Sequence, residues 1–223
     1  MQSNYIPWKG YFDMINMVDV FVLYDTAQYT KNDWRNRNRI ITNQGPRWLT
    51  IPVRVESLKQ AINETSVAQS NWNKKHWNTI QANYARTSYF SKFKDLIESE
   101  YAGLSDASLS EINYRLINVV CQILGIDTKI IRSEDFELTG DRNFRLVQIC
   151  KALGADVYLS GPAAKNYMDI DLFTQNNIEV EWMQYVGYEE YNQRGQKFHH
   201  NVSVLDLIFN TGDHVRSYMN SFD

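Results

Sequence analysis

Two spacings of apolar residues alternate along this chain, and they predict two kinds of element. Short, continuously apolar runs such as VFVLY at 20–24 fit strands that are buried in a parallel sheet. In contrast, residues 108–124 place their apolar side chains three and four positions apart, which predicts an amphipathic helix. The same criteria predict helices at 10–18, 73–87, 91–103, 141–153 and 203–211, and strands at 18–25, 39–42, 47–53, 127–135, 156–161 and 178–185.

The order of these elements predicts the fold class. Strands that alternate with helices are typical of an α/β domain with a mainly parallel sheet flanked by helices. The runs at 39–42 and 47–53 are separated by the turn sequence NQGP, which predicts a hairpin. We expect residues 1–223 to form one domain in which 60–105 is a helical insertion.

Charge and composition narrow the classes of function. The 23 basic residues are balanced by 26 acidic ones, so the sequence does not predict a nucleic-acid partner. Cys121 and Cys150 lie in helical patterns without a CxxC pair, which favours reduced core residues over metal ligands. No run has the length and apolarity of a membrane span, and no signal peptide precedes the first motif. The sequence therefore predicts a cytoplasmic protein without membrane insertion.

The loop after the strand at 18–25 has the densest group of candidate ligand contacts. In open α/β sheets, ligands bind beyond the carboxyl ends of the strands. The segment KNDWRNRNRI interleaves arginines, which bind phosphate or carboxylate, with asparagines and a tryptophan. A solvated basic loop is the alternative, although such a loop has no need of large rings. The candidate acid–base residue is Asp25, and the candidate substrate contacts are Gln28, Tyr29, Trp34, Arg35, Arg37 and Asn38.

Two later segments could contribute to the same cleft. LSGPAAKNYMD, at 159–169, resembles a strand-to-helix turn whose backbone N–H groups approach an anion, although it also fits an ordinary turn. Adjacent histidines in FHHN cannot both face one ion, so we expect no metal site there; His199 is either near the cleft or on the surface. These segments add Ser160 and Gly161 as cofactor contacts, Tyr167 as a substrate contact, and Lys165 and His199 as catalytic candidates.

The opening segment QSNYIPWKGYF combines proline, glycine and aromatic residues where a plain helix start needs only a cap and an apolar face. Its part YIPWKGYF is similar in outline to the turn Pro-x-His-x-Gly-His of nucleotidyltransferase-like enzymes, which approaches ATP phosphate. Both histidines are absent here. By this resemblance the candidate cofactor contacts are Trp8, Gly10 and Tyr11. Gln2 and Tyr5, in the same opening segment, are candidate substrate contacts.

Several motifs together resemble the WbqC-like family along nearly the whole chain: QSNYIPWKGYFD, VDVFVLYDTAQYTKNDWRNRNRI, WLTIPV, KALGADVYLSGPAAKNYMD and SVLDLIFNTG. Family members occur with genes for bacterial O-antigen and other surface polysaccharides. They usually have a short apolar strand ahead of the opening motif, which residues 1–223 do not include. The resemblance implies a nucleotidyltransferase-like (Rossmann-like) fold.

The same resemblance implies work on nucleotide-activated or amino sugars. The phosphate-binding arginines, the polar contacts and the glycine at the helix start would serve an enzyme that acts on a nucleotide-linked amino sugar by amide-forming (amino)acyl transfer or ligation. ATP or another nucleotide is the candidate cofactor, and a nucleotide sugar or amino sugar is the expected small-molecule partner. A homodimer is compatible with the sequence. The alternative function is a non-catalytic nucleotide- or sugar-binding protein that assists polysaccharide assembly.

Overall fold

A computed structural model of the protein describes residues 1–195 and 197–222. Its strands are β1 (Val20–Leu23), β2 (Arg37–Thr42), β3 (Gly45–Thr50), β4 (Lys129–Arg132), β5 (Val157–Ser160) and β6 (Glu179–Trp182). Its α-helices are α1 (Lys9–Asn16), α2 (Trp72–Tyr84), α3 (Phe90–Ala102), α4 (Leu109–Leu124), α5 (Arg142–Leu153), α6 (Ile170–Gln175) and α7 (Val204–Thr211). Segments of 3₁₀ helix cover Ser133–Asp135, Pro162–Asn166 and Gly212–Tyr218. None of the helices in the described residues is both long and apolar enough to cross a membrane.

Helices α4 and α5 begin and end where local sequence signals predict. The Ser108 hydroxyl accepts a hydrogen bond from the Glu111 N–H at the start of α4, and Gly125 ends that helix with a φ of 64°. A left-handed residue at this position lets the chain turn while the last carbonyls keep partners. Asp141 and Gly154 bound α5 in the same way, with a φ of 65° at the glycine. The predicted helices at these positions are confirmed.

The strands pair in three separate two-stranded units. β1 pairs with β4, and β5 pairs with β6, both in parallel. β2 and β3 form the predicted antiparallel hairpin, in which Arg39 lies opposite Trp48. The α/β class is therefore confirmed, whereas one mainly parallel sheet is not found among the described strands. The periodicity of a strand shows that its faces are buried, but it does not show which strand lies beside it.

Residues 60–105, which the sequence predicts to be a helical insertion, contain helices α2 and α3. The residues before Trp72 form turns, bends and isolated bridges, such as that of Ser66 with Ser108. Side chains of this region, including Trp72 and Tyr101, are fully buried in the main core together with α4 and α7. Side chains of this region are therefore part of the main hydrophobic core. A smaller apolar cluster around Phe173 lies between α5, α6 and the β5–β6 pair.

A buried carboxylate fixes α7 against the rest of the main core. Asp206 is fully buried and accepts hydrogen bonds from the hydroxyls of Tyr84 (2.9 Å) and Tyr191 (2.6 Å) and from Gln193 Nε2 (2.7 Å). Burial raises the pKa of Asp206, and the three donors oppose that rise. Because these donors come from α2 and from the segment before α7, the network joins elements that are distant in sequence.

Candidate functional site

The opening segment runs along the carboxyl end of β1. The amino group of Met1 donates to the Val22 carbonyl (2.8 Å), and the Tyr24 N–H donates to the Met1 carbonyl (2.8 Å). The Met1 side chain also approaches Gly161, where a Cβ would lie 3.8 Å from Met1 Cε. The turns after β1 and after β5 therefore border the same segment, as expected for the carboxyl ends of parallel strands.

The buried Asp25 carboxylate is hydrogen-bonded to this opening segment. The carboxylate is 2% exposed; one oxygen accepts from the Ser3 N–H (2.8 Å) and the other from the Ser110 hydroxyl (2.6 Å). Asn113 Nδ2 donates to Ser3 Oγ (2.9 Å) and to the Arg35 carbonyl (2.9 Å), which extends the network to the following loop. Both oxygens of the candidate acid–base residue are thus bound by protein groups.

A strained turn follows in the opening segment. Ile6 has a φ of 34°, which is rare for a β-branched residue because its Cβ crowds the backbone. The buried Asn38 side chain holds this turn: its Nδ2 donates to the carbonyls of Tyr5 (3.1 Å) and Ile6 (2.7 Å), while its Oδ1 accepts from the Arg39 N–H (2.7 Å). Asn38, a predicted substrate contact, therefore has its polar atoms committed to the backbone of the protein.

Three other predicted contacts of the opening segment lie in or against the core. Tyr5 is fully buried, and its hydroxyl is hydrogen-bonded to His76 Nδ1 (2.8 Å) and to the Tyr101 hydroxyl (2.6 Å). The Tyr11 hydroxyl donates to the Gln2 carbonyl (3.1 Å). Burial raises the pKa of both Tyr5 and Tyr11. These phenols stabilise the opening segment and stay protonated at physiological pH.

Beside this segment, the β2–β3 hairpin and the loop before it present what we call the arginine–tryptophan face: Trp34, Arg37, Arg39 and Trp48. The two indole rings lie 5.2 Å apart and are 36% and 41% exposed, which leaves both accessible. The guanidinium carbons of Arg37 and Arg39 lie 4.2 Å and 5.3 Å from the centre of the Trp48 ring. Contact with the indole rings holds the two guanidinium groups in place, although each makes few hydrogen bonds.

Polar and acidic residues contact the arginines at and beside this face. Arg35 binds the Asn4 side chain and lies 3.7 Å from Asp33, and Arg37 donates to the Asn32 carbonyl. Burial would raise the pKa of Asp33, but the Thr30 hydroxyl and these arginines lower it. Among the described residues, the buried Nε atoms of Arg35, Arg37 and Arg39 have no hydrogen-bond partner.

The remaining predicted contacts of the loop at 25–38, Gln28 and Tyr29, bind other segments of the protein. Gln28 Nε2 donates to the Leu58 carbonyl. Tyr29 is 7% exposed, burial raises its pKa, and its N–H donates to the Gln60 carbonyl (2.8 Å). Both residues fasten the loop to the segment before α2.

The turn after β5 is a five-residue 3₁₀ helix with Pro162 in its first position. Proline has no N–H, so this turn offers an anion fewer donors than an α-helix start does. Ser160 is buried beneath the turn, while Lys165 is exposed with Nζ 5.3 Å from the Trp182 ring. Tyr167 is exposed and stacks with Arg142 at 4.6 Å.

His199 is held through its backbone. Its N–H donates to Gln193 Oε1 (2.8 Å), and its carbonyl accepts from Gln193 Nε2 (3.2 Å). Within residues 1–195 and 197–222, no group of three or more His, Cys, Asp or Glu side chains could hold a metal ion.

Comparison with known proteins places this arrangement in a family. The WbqC-like protein family matches residues 2–218, from the opening segment to the last 3₁₀ helix. The chain belongs to the WbqC-like family. A Mycobacterium tuberculosis protein described as uncharacterized is 43% identical over 220 residues, which cover 98% of this WbqC-like chain and 95% of that protein. No solved structure matches the chain, and a nucleotidyltransferase-like fold is not confirmed.

In this WbqC-like chain, the glycine of the opening motif lies under an indole ring. A Cβ on Gly10 would be 2.9 Å from Trp8 Cε2 and nearer still to two other ring carbons. The Trp8 ring is in turn packed edge-on against Tyr185 (5.2 Å) and Tyr188 (5.4 Å). The close approach of Trp8 gives Gly10 a packing reason that is independent of phosphate binding.

Gly10→Ala should therefore lower the melting temperature. Overpacking of this kind costs about 1–3 kcal/mol, which outweighs the gain of about 0.4–1 kcal/mol expected for Gly→Ala at ordinary backbone angles. Gly161→Ala is the matched control, because a Cβ there meets only Met1 Cε at 3.8 Å. In a Trp8→Ala background the cost of Gly10→Ala should shrink. A full cost in that background would contradict the packing explanation.

Three residues were not among the candidates predicted from the sequence: Arg39 and Trp48 of the arginine–tryptophan face, and the buried Lys9. Trp48 becomes part of the arginine–tryptophan face only through the hairpin register that sets it opposite Arg39. The alternation of side chains along RWLT, together with the position of the NQGP turn, is the sequence signal from which Trp48 could have been predicted. Lys9 is 3% exposed although a lysine beside glycine at a helix start gives no signal of burial.

Proposed function

We propose that this WbqC-like protein binds a nucleotide-linked amino sugar on the arginine–tryptophan face and forms an amide on the sugar amine in bacterial surface-polysaccharide biosynthesis. The reaction class is (amino)acyl transfer or ligation. The family resemblance supports the polysaccharide context, and the face supports the chemical class of the ligand.

The observation that carries the proposal is the pairing of two accessible indoles with two stacked guanidinium groups. Indole rings bind the flat faces of a base or a sugar, and such stacking contributes about 1–3 kcal/mol per base. Guanidinium groups with free N–H donors bind phosphate oxygens in a planar, bidentate way. A nucleotide sugar combines a ring, a diphosphate and a second ring, which are the groups that this face would bind.

In the transfer form of the reaction, the amine nitrogen of the sugar attacks the acyl carbon. A C–N bond forms, the bond between acyl carbon and leaving group breaks with its electron pair going to the leaving group, and the nitrogen loses one proton to a base. In the ligation form, a carboxylate oxygen first attacks a phosphorus of a nucleoside triphosphate and displaces diphosphate or the nucleoside diphosphate. When the amine then attacks the acyl carbon, the bond from that carbon to the phosphate-bearing oxygen breaks, and the nucleoside monophosphate or phosphate leaves with the electron pair.

One observation favours the non-catalytic alternative, in which the protein only binds the nucleotide sugar. Asp25, the candidate acid–base residue, is 2% exposed and has each carboxylate oxygen bound by a protein donor. A general base needs an oxygen within hydrogen-bond reach of the substrate. Turnover assays with amino sugars and activated acids distinguish the two functions, since the alternative predicts binding without turnover.

Calorimetric titration with UDP-, GDP- and dTDP-linked amino sugars tests the site. Arg37→Ala and Arg39→Ala should each weaken binding about tenfold to 150-fold, because a charge-assisted hydrogen bond is worth about 1.5–3 kcal/mol. Trp48→Ala should weaken binding by a similar factor through lost stacking. Arg35 is a poorer choice, because its side chain also holds Asn4.

Arg47→Ala is the matched control, since Arg47 is exposed on the same hairpin and lies opposite Ile40 rather than on the face. Its affinity should equal that of the parent protein. Equal affinities for the parent, Arg37→Ala and Trp48→Ala would remove the arginine–tryptophan face from the proposal.

A further inference from the structure

We propose that the cavity beside the start of α2 binds a sugar phosphate, at a site separate from the arginine–tryptophan face. The cavity has a volume of about 670 Å³, and most of the residues that line it are exposed, so a ligand can enter. Pockets for small molecules usually have volumes of about 300–1,000 Å³. Residues 66–71 form one side of the cavity, and the rest of the lining comes from Arg54, Lys75, Ser105 and Asp106.

The backbone on one side of this cavity is fixed from two directions. The Arg54 N–H donates to the Ser66 carbonyl (2.9 Å), and the Ala68 N–H donates to the Pro52 carbonyl (2.7 Å). Ser66 also forms a bridge with Ser108, immediately before α4. Because these contacts join three segments that are distant in sequence, the cavity is part of the fold rather than a gap beside a free loop.

Two cations line this cavity without a partner in the described part of the chain. The Arg54 and Lys75 side chains are exposed, donate no hydrogen bond there and lie more than 4.0 Å from its carboxylate oxygens. The carboxylate that does line the cavity, Asp106, accepts from the Ser105 hydroxyl (2.8 Å). Like charges in one cavity repel each other, and a phosphate group would neutralise both cations.

The position of Lys75 does not serve the stability of α2. Lys75 is the fourth residue of the helix, and the first turn contains no acidic residue. A cation near the start of a helix is unfavourable, because the helix dipole is positive there. A phosphate bound in the cavity would offset this repulsion. Lys75 therefore has a reason to line the cavity that its place in the helix does not provide.

The rest of the lining suits the hydroxyl groups of a sugar. Hydroxyl and amide side chains line the cavity at Ser66, Gln69, Ser70, Asn71 and Ser105. Within the described residues, the Ser105 hydroxyl donates to Asp106, and the other four side chains form no hydrogen bond. Such groups can donate to and accept from sugar hydroxyls. Since the described residues place no aromatic ring in the lining, a nucleobase would have no ring to stack on.

Calorimetric titration with α-glucosyl phosphate, α-galactosyl phosphate and N-acetyl-α-glucosaminyl phosphate tests the site. We expect the parent protein to bind at least one of these probes, and to bind glucose and inorganic phosphate more weakly. Arg54→Ala and Lys75→Ala should each weaken binding about tenfold or more, because each removes a charge-assisted contact with the phosphate. Ser70→Ala should weaken binding of the sugar phosphate but leave binding of inorganic phosphate unchanged.

Lys74→Ala is the matched control, since Lys74 is exposed in the same turn of α2 but does not line the cavity. Trp48→Ala should lower the affinity for nucleotide sugars and leave the affinity for the sugar phosphate unchanged. All of these substitutions are at exposed positions, so thermal melts should show folded variants.

Three results would overturn the site: parent-like affinity in both Arg54→Ala and Lys75→Ala, an equal loss in Lys74→Ala, or no binding of any of the sugar phosphates. A loss in Trp48→Ala would place the sugar phosphate on the arginine–tryptophan face instead. Inorganic phosphate that binds as tightly as the sugar phosphates would overturn the sugar phosphate as the ligand.

Discussion

Asn38→Asp is expected to destabilise the protein by about 3–5 kcal/mol at neutral pH, enough to unfold a large fraction of a marginally stable domain. Asn38 is 2% exposed, and its Nδ2 donates to the carbonyls of Tyr5 and Ile6. Aspartate has nearly the same shape, but it places an anionic oxygen against those two carbonyl oxygens. The free energy of unfolding from urea titrations at pH 7 measures the effect.

Asn38→Ala removes the donor without adding charge, so it should cost less, about 1–3 kcal/mol. Asn32→Asp is the matched control: Asn32 is exposed and contacts Arg37, so a carboxylate there should leave stability unchanged or raise it slightly. The penalty of Asn38→Asp should also shrink as the pH falls and the new carboxyl group becomes protonated. Equal unfolding midpoints for Asn38→Asp and the parent would show that Asn38 does not hold the turn.

The second large effect is a loss of stability in acid that is caused by His76. Burial lowers the pKa of His76 from 6.5 to about 4, although a hydrogen bond to the Thr50 backbone opposes the shift. The unfolded chain therefore binds a proton between pH 6.5 and pH 4 that the folded protein does not bind. Stability falls as the pH falls through this window, and the contribution reaches about 3 kcal/mol at pH 4. Urea titrations at half-unit intervals of pH measure the slope.

His76→Gln should be less stable than the parent at pH 7, because the Tyr5 hydroxyl loses its His76 partner. Its free energy of unfolding should, however, depend much less on pH between pH 6.5 and pH 4. His214→Gln is the control: His214 is exposed, so the slope should stay that of the parent. A slope that is unchanged in His76→Gln would assign the acid sensitivity to other groups.

Sequence reasoning predicted those helices whose ends are set by local chemistry. Ser108 and Gly125 bound α4, and Ser203 accepts a hydrogen bond from the Leu205 N–H at the start of α7. Caps, glycine ends and three-to-four spacing act over a few residues, so the sequence carries them directly. The NQGP turn also predicted the β2–β3 hairpin, since a short turn brings two neighbouring strands together.

The candidate site was harder to predict, as the contrast between two arginines illustrates. Arg35 and Arg37 are two positions apart and carry the same group. Arg37 stacks on Trp48, whereas Arg35 binds Asn4 of the opening segment. The pattern of the loop indicated a cluster of ligand-binding residues, but the partner of each guanidinium comes from a distant part of the chain.

The sequence by itself determined the family, the α/β class, the boundaries of α4 and α5, and the hairpin, because these depend on residue identity and on interactions between near neighbours. Only the tertiary structure decided that the strands form separate pairs, that Trp8 covers Gly10 and that Asn38 binds the Ile6 turn. It also decided that Lys9 is buried beside Tyr188 and Tyr191. Burial and long-range pairing arise when segments far apart in sequence exclude water from one another, and no local pattern specifies which segments meet.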